Sequence, residues 1–168
     1  MTEAPGEGFD FERSPLKDAY TLLGAKTPMQ LQLAYDKADQ DLMKNRAWDY
    51  NNPGLSINKV KQILEVTNPS ELTEDEREWR EEILWFWYHH AISCAIARYH
   101  DRAAAKMYAE KALSYKTEKN PNRITKLFQL LLDDKIADAE AWATTVHEDE
   151  KDAAEFLVSE YRAGKFPS

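Results

Sequence analysis

The residues best suited to chemistry in this 168-residue chain lie in the uncharged stretch Ile83–Ala97. His89 and Ser93 are four residues apart, as are His90 and Cys94, so each pair would share one face of a helix. A His–Ser pair could supply a base and a nucleophile, and a His–Cys pair half of a metal site. No G-x-S-x-G, H-E-x-x-H, E-x-x-H or C-x-x-C motif supplies the remaining groups. We therefore expect no catalytic activity, metal or cofactor, and interpret these histidines as buried and hydrogen-bonded to neighbouring helices.

Composition is that of a globular protein of one ordinary domain's size. Apolar residues make up 43%, and 22 basic against 30 acidic residues give a net charge of −8. The single cysteine, Cys94, cannot form an internal disulfide, which fits a reducing compartment. Residues 1–13 lack an apolar core and an early basic residue, and Ile83–Ala97 is shorter than the roughly 20 apolar residues of a membrane span. We therefore expect a cytoplasmic protein.

Helix start and stop signals predict an all-α fold of about eight helices, because no segment alternates long enough for a strand. The start signals are Ser14-Pro15, Thr27-Pro28, Ser56, Thr73, Asp101, Asn120-Pro121, Asp134 and Asp149. The longest predicted helix runs from Glu74 to about His100 and is apolar nearly all round in its second half, so it should be central. We expect a flexible tail over residues 1–13, a helical subdomain over 14–70, helical hairpins around the long helix over 73–163, and a tail over 164–168.

A set of motifs follows in order within residues 17–70. They are Asp18-Ala19-Tyr20-Thr21-Leu22-Leu23-Gly24, Ala34-Tyr35-Asp36-Lys37, Asp49-Tyr50-Asn51-Asn52-Pro53-Gly54, Ile57–Val66 and Asn68-Pro69-Ser70. Together they resemble the skeleton of a J-domain, a family in which a His-Pro-Asp triplet after the second helix engages an ATP-driven heat-shock chaperone. Here the aligned triplet is Ala47-Trp48-Asp49, of which only Asp matches. The resemblance implies a degenerate J-like module kept for binding; an ordinary capped helical hairpin is the alternative.

A second pattern repeats at an offset of 33 residues within residues 83–147. Asp101-Arg102 recurs as Asp134-Lys135, Ala104 as Ala137, and Leu113 as Val146. A period near 34 suits tetratricopeptide repeats, and the segment 104–113 is similar to the second helix of such a repeat. The resemblance implies TPR-like helical hairpins, and a generic antiparallel bundle is the alternative.

Aromatic and charged residues suggest where a partner would bind. Six aromatic residues fall within residues 79–99, and any that form an exposed patch would mark a binding surface. Residues 98–126 hold eight bases and three acids, a strip that could orient an acidic peptide. The residues predicted to contact a partner are Trp85, Trp87, Tyr99, Arg102, Lys106 and Arg123.

These observations favour a non-catalytic protein-interaction or adaptor module, a cochaperone-like scaffold that binds a peptide or helix in a groove between helices. The expected partner is a protein, and no membrane is expected. We do not expect a nucleic acid either, because the net charge is −8 and the sequence has no nucleic-acid-binding motif. The alternative is a structural subunit of a larger assembly, such as a viral particle or multiprotein complex. A permanent interface predicts self-association of the isolated chain, whereas an adaptor predicts a monomer.

Overall fold

The computed structural model describes residues 8–115 and 123–168, and its regular structure there is entirely helical, as predicted. The α-helices of these ranges are α1 Lys17–Leu23, α2 Pro28–Lys44, α3 Ser56–Val66, α4 Glu74–Ala97, α5 Arg102–Leu113, α6 Arg123–Leu132, α7 Ile136–Ala143 and α8 Lys151–Arg162. Short 3-10 turns cover Phe11–Arg13, Pro69–Glu71 and Glu148–Glu150. The start signal Asn120-Pro121 lies outside the described residues. No helix in the described ranges has both the length and the apolar character needed to cross a bilayer.

Several predicted helix caps are confirmed by hydrogen bonds. The Thr27 hydroxyl accepts from the N–H of Gln30 at 3.2 Å, and the Asp101 carboxylate accepts from the N–H of Ala104 at 3.0 Å. Ser56 is different, because the residue before it caps α3 with extended backbone alone and Ser56 is the first residue of the helix. The prediction of Ser56 as a cap is therefore wrong.

The chain divides into two compact units, and the division falls within the residues of α4. Described residues of Met1–Leu84 form the first unit and those of Trp85–Ser168 the second. The sequence instead places the boundary just before α4. The composition of α4 explains the difference: its first half is acidic and has an exposed face, whereas its second half is buried on most sides. The first half of α4 therefore belongs to the first unit and the second half to the second unit.

The first unit packs α1, α2 and α3 against one another. Its core contains the apolar stripes that the helical spacing predicts. Fully buried residues of this core are Leu16, Ala19, Tyr20, Tyr35, Ile57, Val60 and Leu64.

A buried carboxylate, that of Glu76, joins distant segments of the first unit. Thr73 and Glu76 form the predicted capping box, with the Glu76 N–H donating to the Thr73 hydroxyl and the Thr73 N–H donating to Glu76. The Ser14 hydroxyl donates to Glu76 Oε2 at 2.5 Å and the Tyr20 hydroxyl at 3.0 Å. Burial and then the charge of Glu76 raise the pKa of Tyr20 well above 10, so its hydroxyl stays a donor. The carboxylate thus ties α4 to α1.

The N-terminal segment also packs onto this site. The rings of Phe9 and Phe11 lie 5.5 and 5.8 Å from the ring of Tyr20. Residues 9–13, which the sequence assigns to a flexible tail, therefore cover the end of the first unit's core.

A second buried polar contact fixes the loop between α2 and α3. Trp48 is buried there, and its Nε1 donates to the buried carboxylate of Asp39 at 2.8 Å. The side-chain amide of Asn58 donates to the carbonyls of Asp49 and Asn52, each at 2.8 Å. The loop that contains Trp48 and Asp49 is therefore held by hydrogen bonds inside the first unit.

The second unit is arranged around α6, which packs against α5, α7 and α8. Part of its core is the buried cluster Leu127, Leu131, Ala139, Val146 and Ala154. The single cysteine, Cys94, is buried in the part of α4 that belongs to this unit.

Candidate binding groove in the second unit

Two of the six predicted partner contacts are core residues. Trp85 is 8% exposed and Trp87 is 3% exposed. The Trp85 ring stacks on His89 at 5.1 Å, and the Trp87 ring meets Tyr108 edge-on at 6.0 Å. In this conformation neither indole presents more than a small part of its surface to a partner, so their predicted binding role finds no support in their placement.

His89 is half-buried and is hydrogen-bonded to a neighbouring helix, as the sequence predicts for its hydrogen bond. Its Nδ1 lies 2.9 Å from the hydroxyl of the buried Thr125, and its ring meets Phe128 edge-on at 5.7 Å. Burial, assisted by the neighbouring His90, lowers the pKa of His89 to about 3, so the imidazole is neutral near pH 7. Within the described ranges, no three His, Cys, Asp or Glu side chains are grouped so that they could hold a metal ion.

Arg102 is a point of attachment within the second unit. Its Nη2 donates to the carbonyl of Leu132, the last residue of α6, and to Asp134 Oδ2 at 2.8 Å. Its Nη1 donates to the carbonyl of Pro167 at 3.1 Å. A guanidinium suits this position because its planar fork can serve several acceptors at once.

Asp134 is the acceptor that this guanidinium shares with α8. The Tyr161 hydroxyl donates to Asp134 Oδ1 at 2.8 Å. That hydrogen bond, followed by the charge of Arg102, lowers the pKa of Asp134 below its usual value. The carboxylate of Asp134 thereby links α8 to Arg102, which also bonds to the end of α6.

Three of the predicted contacts do lie together. Tyr99, Arg102 and Lys106 line a shallow depression of about 570 Å³ whose other members include His100 and Ser168. Lys106 is half-exposed and pairs with Asp133 at 3.0 Å. This depression retains part of the basic strip that the sequence predicts.

The sixth predicted contact, Arg123, lies elsewhere. Its guanidinium is 5.6 Å from the centre of the Trp142 ring and donates to the Thr145 hydroxyl at 3.2 Å. The Trp142 indole in turn donates to the Arg123 carbonyl at 2.8 Å. Arg123 thus joins α6 to α7 and the turn that follows it.

A larger apolar groove, of about 700 Å³, is formed by the end of α4, by α6 and α8, and by the residues after α8. We call it the α8 groove. Its apolar lining comes mainly from Ile96, Phe128, Phe156, Leu157, Phe166 and Pro167. Polar groups are contributed by Ser93, His100, Glu160 and Lys165. The α8 groove and the basic depression share His100 and Ser168, so the two are adjacent. A groove of this volume and lining is typical of ligand sites.

Phe156 is the most exposed large apolar side chain of the groove, at 60%, and sequence analysis missed it. The apolar stripe of α8 contains the buried Ala154 together with Leu157, Val158 and Tyr161. At about 100° per residue, Phe156 lies about 200° around α8 from Ala154. An aromatic residue opposite the apolar stripe is a signal that could have identified this residue from the sequence.

One wall of the groove is the segment Lys165–Ser168, which we call the C-terminal strap. The Phe166 ring lies 6.5 Å from the ring of Phe128, stacked on it, and 5.7 Å from the ring of Tyr161, edge-on. Pro167 is buried, and its carbonyl accepts the hydrogen bond from Arg102. Residues 164–168, assigned to a tail by the sequence, therefore pack against α6 and α8.

These contacts hold the strap against α5, α6 and α8. No protein-family model, curated protein or solved structure significantly matches this chain.

Proposed function

We propose that the protein is a non-catalytic interaction module, an adaptor that binds a peptide or helix of another protein in the α8 groove. The observation that carries this proposal is the exposed Phe156 beside an apolar groove of about 700 Å³. Burying one large apolar side chain contributes about 1.5–3 kcal/mol, and aromatic anchors seated in pockets dominate many protein interfaces.

The depression that contains Arg102 and Lys106 adjoins the groove through His100. Its charge is mixed, because Asp101 also lines it and its two bases pair with Asp134 and Asp133. Charges at the rim of an interface mainly affect the association rate and the orientation of the partner. In this proposal the apolar groove therefore supplies the affinity, and the charged pairs beside it act on the orientation of the segment.

The proposal is tested with segments selected from a random peptide library displayed against the full chain. Phe156→Glu should weaken the selected segments at least about tenfold, because it places a charge where an apolar anchor binds. Met107→Glu is the matched control: Met107, on α5, is 55% exposed and does not line the groove. Equal losses in both variants, or none in Phe156→Glu, would reject the α8 groove as the binding site.

We also propose that the second unit contains TPR-like hairpins. Two corresponding turns support this. His100 and Asp134 both adopt the left-handed conformation, with φ of 48° and 59°, two residues before α5 and α7 respectively. The two helices begin at Arg102 and Ile136, a spacing of 34 residues that suits such repeats. This is one residue more than the offset of the sequence pattern, so Asp134 corresponds to His100 and not to the cap Asp101.

For the first unit, we propose a degenerate J-like module that does not engage the heat-shock chaperone. In the aligned triplet, Trp48 is buried and donates to Asp39, and Asp49 Oδ1 accepts from the N–H of Asn51 at 2.9 Å. These contacts support a structural role for the loop. A chaperone ATPase assay with the full chain tests this: stimulation above the basal rate would overturn it.

A structural subunit of a larger assembly is the second candidate function, and α2 carries the observation that favours it. Met29 and Leu33 lie four residues apart on one face of α2, and both are more than half exposed. If that face is a permanent interface, light scattering should show an oligomer that Leu33→Asp dissociates. A monomer at every concentration would favour the adaptor.

A further inference from the structure

The C-terminal strap shows what kind of segment this surface accepts. It presents an aromatic side chain followed by proline, with Phe166 against Phe128 and Tyr161 and Pro167 buried beside them. The carbonyl of Pro167 meets the guanidinium of Arg102 at 3.1 Å. A ring in an apolar recess and a carbonyl on a fixed donor are contacts that a separate peptide could make equally well.

Arg102 is preorganised for this role. Its other nitrogen is held by the Leu132 carbonyl and by Asp134, neither of which belongs to the strap. The guanidinium therefore keeps its position when the strap leaves, and it can receive the carbonyl of whichever segment replaces the strap. Preorganised donors lower the ordering cost of binding.

The strap is joined to α8 through a glycine and few polar contacts. Gly164, which precedes it, ends α8 with a φ of 73°, a conformation that glycine adopts at little cost. The strap's other polar contacts are made to Glu160, through the Lys165 N–H at 3.1 Å and the Lys165 ammonium at 3.2 Å. Rotation at Gly164 would break these contacts and leave α8 helical.

We propose that the strap is an internal ligand, displaced by a partner segment that carries an aromatic residue followed by proline. This inference rests on the proposed function, because it names the partner's chemistry and adds the recess beneath the strap, which is one wall of the α8 groove, to the surface that the partner covers. A tethered segment competes at an effective concentration in the millimolar range. The partner therefore binds weakly while the strap is in place. If the strap is released in only a fraction of the molecules, full release raises the apparent affinity by the inverse of that fraction.

The test uses the peptide Ala-Gly-Lys-Phe-Pro-Ser, the sequence of residues 163–168, with both ends blocked, titrated into the ¹⁵N-labelled full chain. Phe166→Ala removes the ring of the strap, so the peptide should bind this variant at least about tenfold more tightly than the wild type. The amides of Phe128 and Tyr161 should shift. A peptide with Ala in place of Phe should not bind, and Met107→Ala should bind the original peptide as weakly as the wild type.

A second variant covers the case in which Phe166→Ala does not fold. Lys165→Glu sets a like charge beside Glu160 at an exposed position, so it should loosen the strap and raise peptide affinity in the same direction by a smaller factor. Equal binding to the wild type and both variants, or no binding to any of them, would overturn the strap as an internal ligand. The library segments that depend on Phe156 would still stand in that case, which keeps the two proposals separable.

Discussion

The two units use polar side chains in different ways. In the first unit, buried carboxylates accept from within the unit: Glu76 from Ser14, 62 residues away, and Asp39 from Trp48, nine residues away. In the second unit, Arg102 reaches the end of one helix and a segment beyond another, and an apolar groove stays open beside it. Buried polar contacts between fixed elements specify a fold. A partly exposed contact to a short segment that follows the last helix can instead serve binding.

The cost of removing such contacts should separate the two units. A buried donor or acceptor that loses its partner costs about 1–3 kcal/mol. The first unit is therefore expected to be sensitive to polar substitutions. The second is expected to be sensitive in its apolar core, including the buried wall of the groove, but tolerant at the groove's exposed residues.

The largest effect is expected at Trp48. Trp48→Ala removes a buried indole and its hydrogen bond to Asp39, and should lower the free energy of unfolding by about 4 kcal/mol, measured by urea denaturation. The double substitution Ala47→His, Trp48→Pro, which restores the J-domain triplet, should cost at least as much. Trp48→Phe, which keeps most of the apolar volume, should cost less than half as much; equal costs would mean that packing contributes nothing here.

The next largest effect is expected at Glu76. Glu76→Ala leaves the buried Tyr20 hydroxyl and the Ser14 hydroxyl without their acceptor and removes half of the capping box. We expect a loss of about 3 kcal/mol. Glu74→Ala, an exposed position in the same helical turn, should lose less than about 1 kcal/mol. Similar losses at both positions would show that the helix dipole, and not the buried contacts, is responsible.

A smaller effect, specific to the second unit, concerns pH. The pKa of His89 is about 3 in the folded chain against 6.5 for an ordinary histidine, so the unfolded chain binds the extra proton between these values. Above pH 6.5 neither state binds this proton, and as the pH falls the free energy of unfolding decreases by up to about 1.4 kcal/mol per pH unit, a loss of about 2 kcal/mol by pH 5, where the comparison ends. The free energy of unfolding of the wild type and of His89→Gln should be measured as a function of pH, and the difference between them isolates this slope. The control His90→Gln should keep the slope of the wild type.

The smallest effect on stability is expected at the groove. Phe156→Ser should change the free energy of unfolding by less than about 0.5 kcal/mol, because the ring is already largely in water. Phe128→Ala, on the buried wall of the same groove, should cost about 3 kcal/mol. A large loss at Phe156 would mean that the groove is part of the core, and the contrast between the two units would fail.

The sequence predicts those features of the fold that depend on near neighbours. The capping roles of Thr27, Asp101 and Thr73 could be predicted because each cap bonds to an N–H within one turn of it. Ser56 could not be assigned in this way, since the preceding loop sets where α3 begins and the backbone alone makes its cap.

The candidate site depends on contacts between distant residues, and sequence reasoning identified less of it. Helix α4 is apolar on all sides near Trp85 and Trp87, so its periodicity does not show which side faces a neighbour. The groove joins residues from Ser93 to Ser168 across three helices and the strap, and no local pattern encodes that arrangement. Phe156 is the exception, because its position opposite the stripe of α8 is visible in the sequence.

The buried position of the single cysteine provides a built-in reporter of local opening. Cys94 lies in the second unit, so a thiol reagent can react with it only when that part of the chain opens. Under fast reclosing, the labelling rate relative to a small free thiol gives the opening equilibrium directly. Because the first unit has no cysteine, the same kinetic trace would show whether a substitution such as Trp48→Ala loosens the second unit as well.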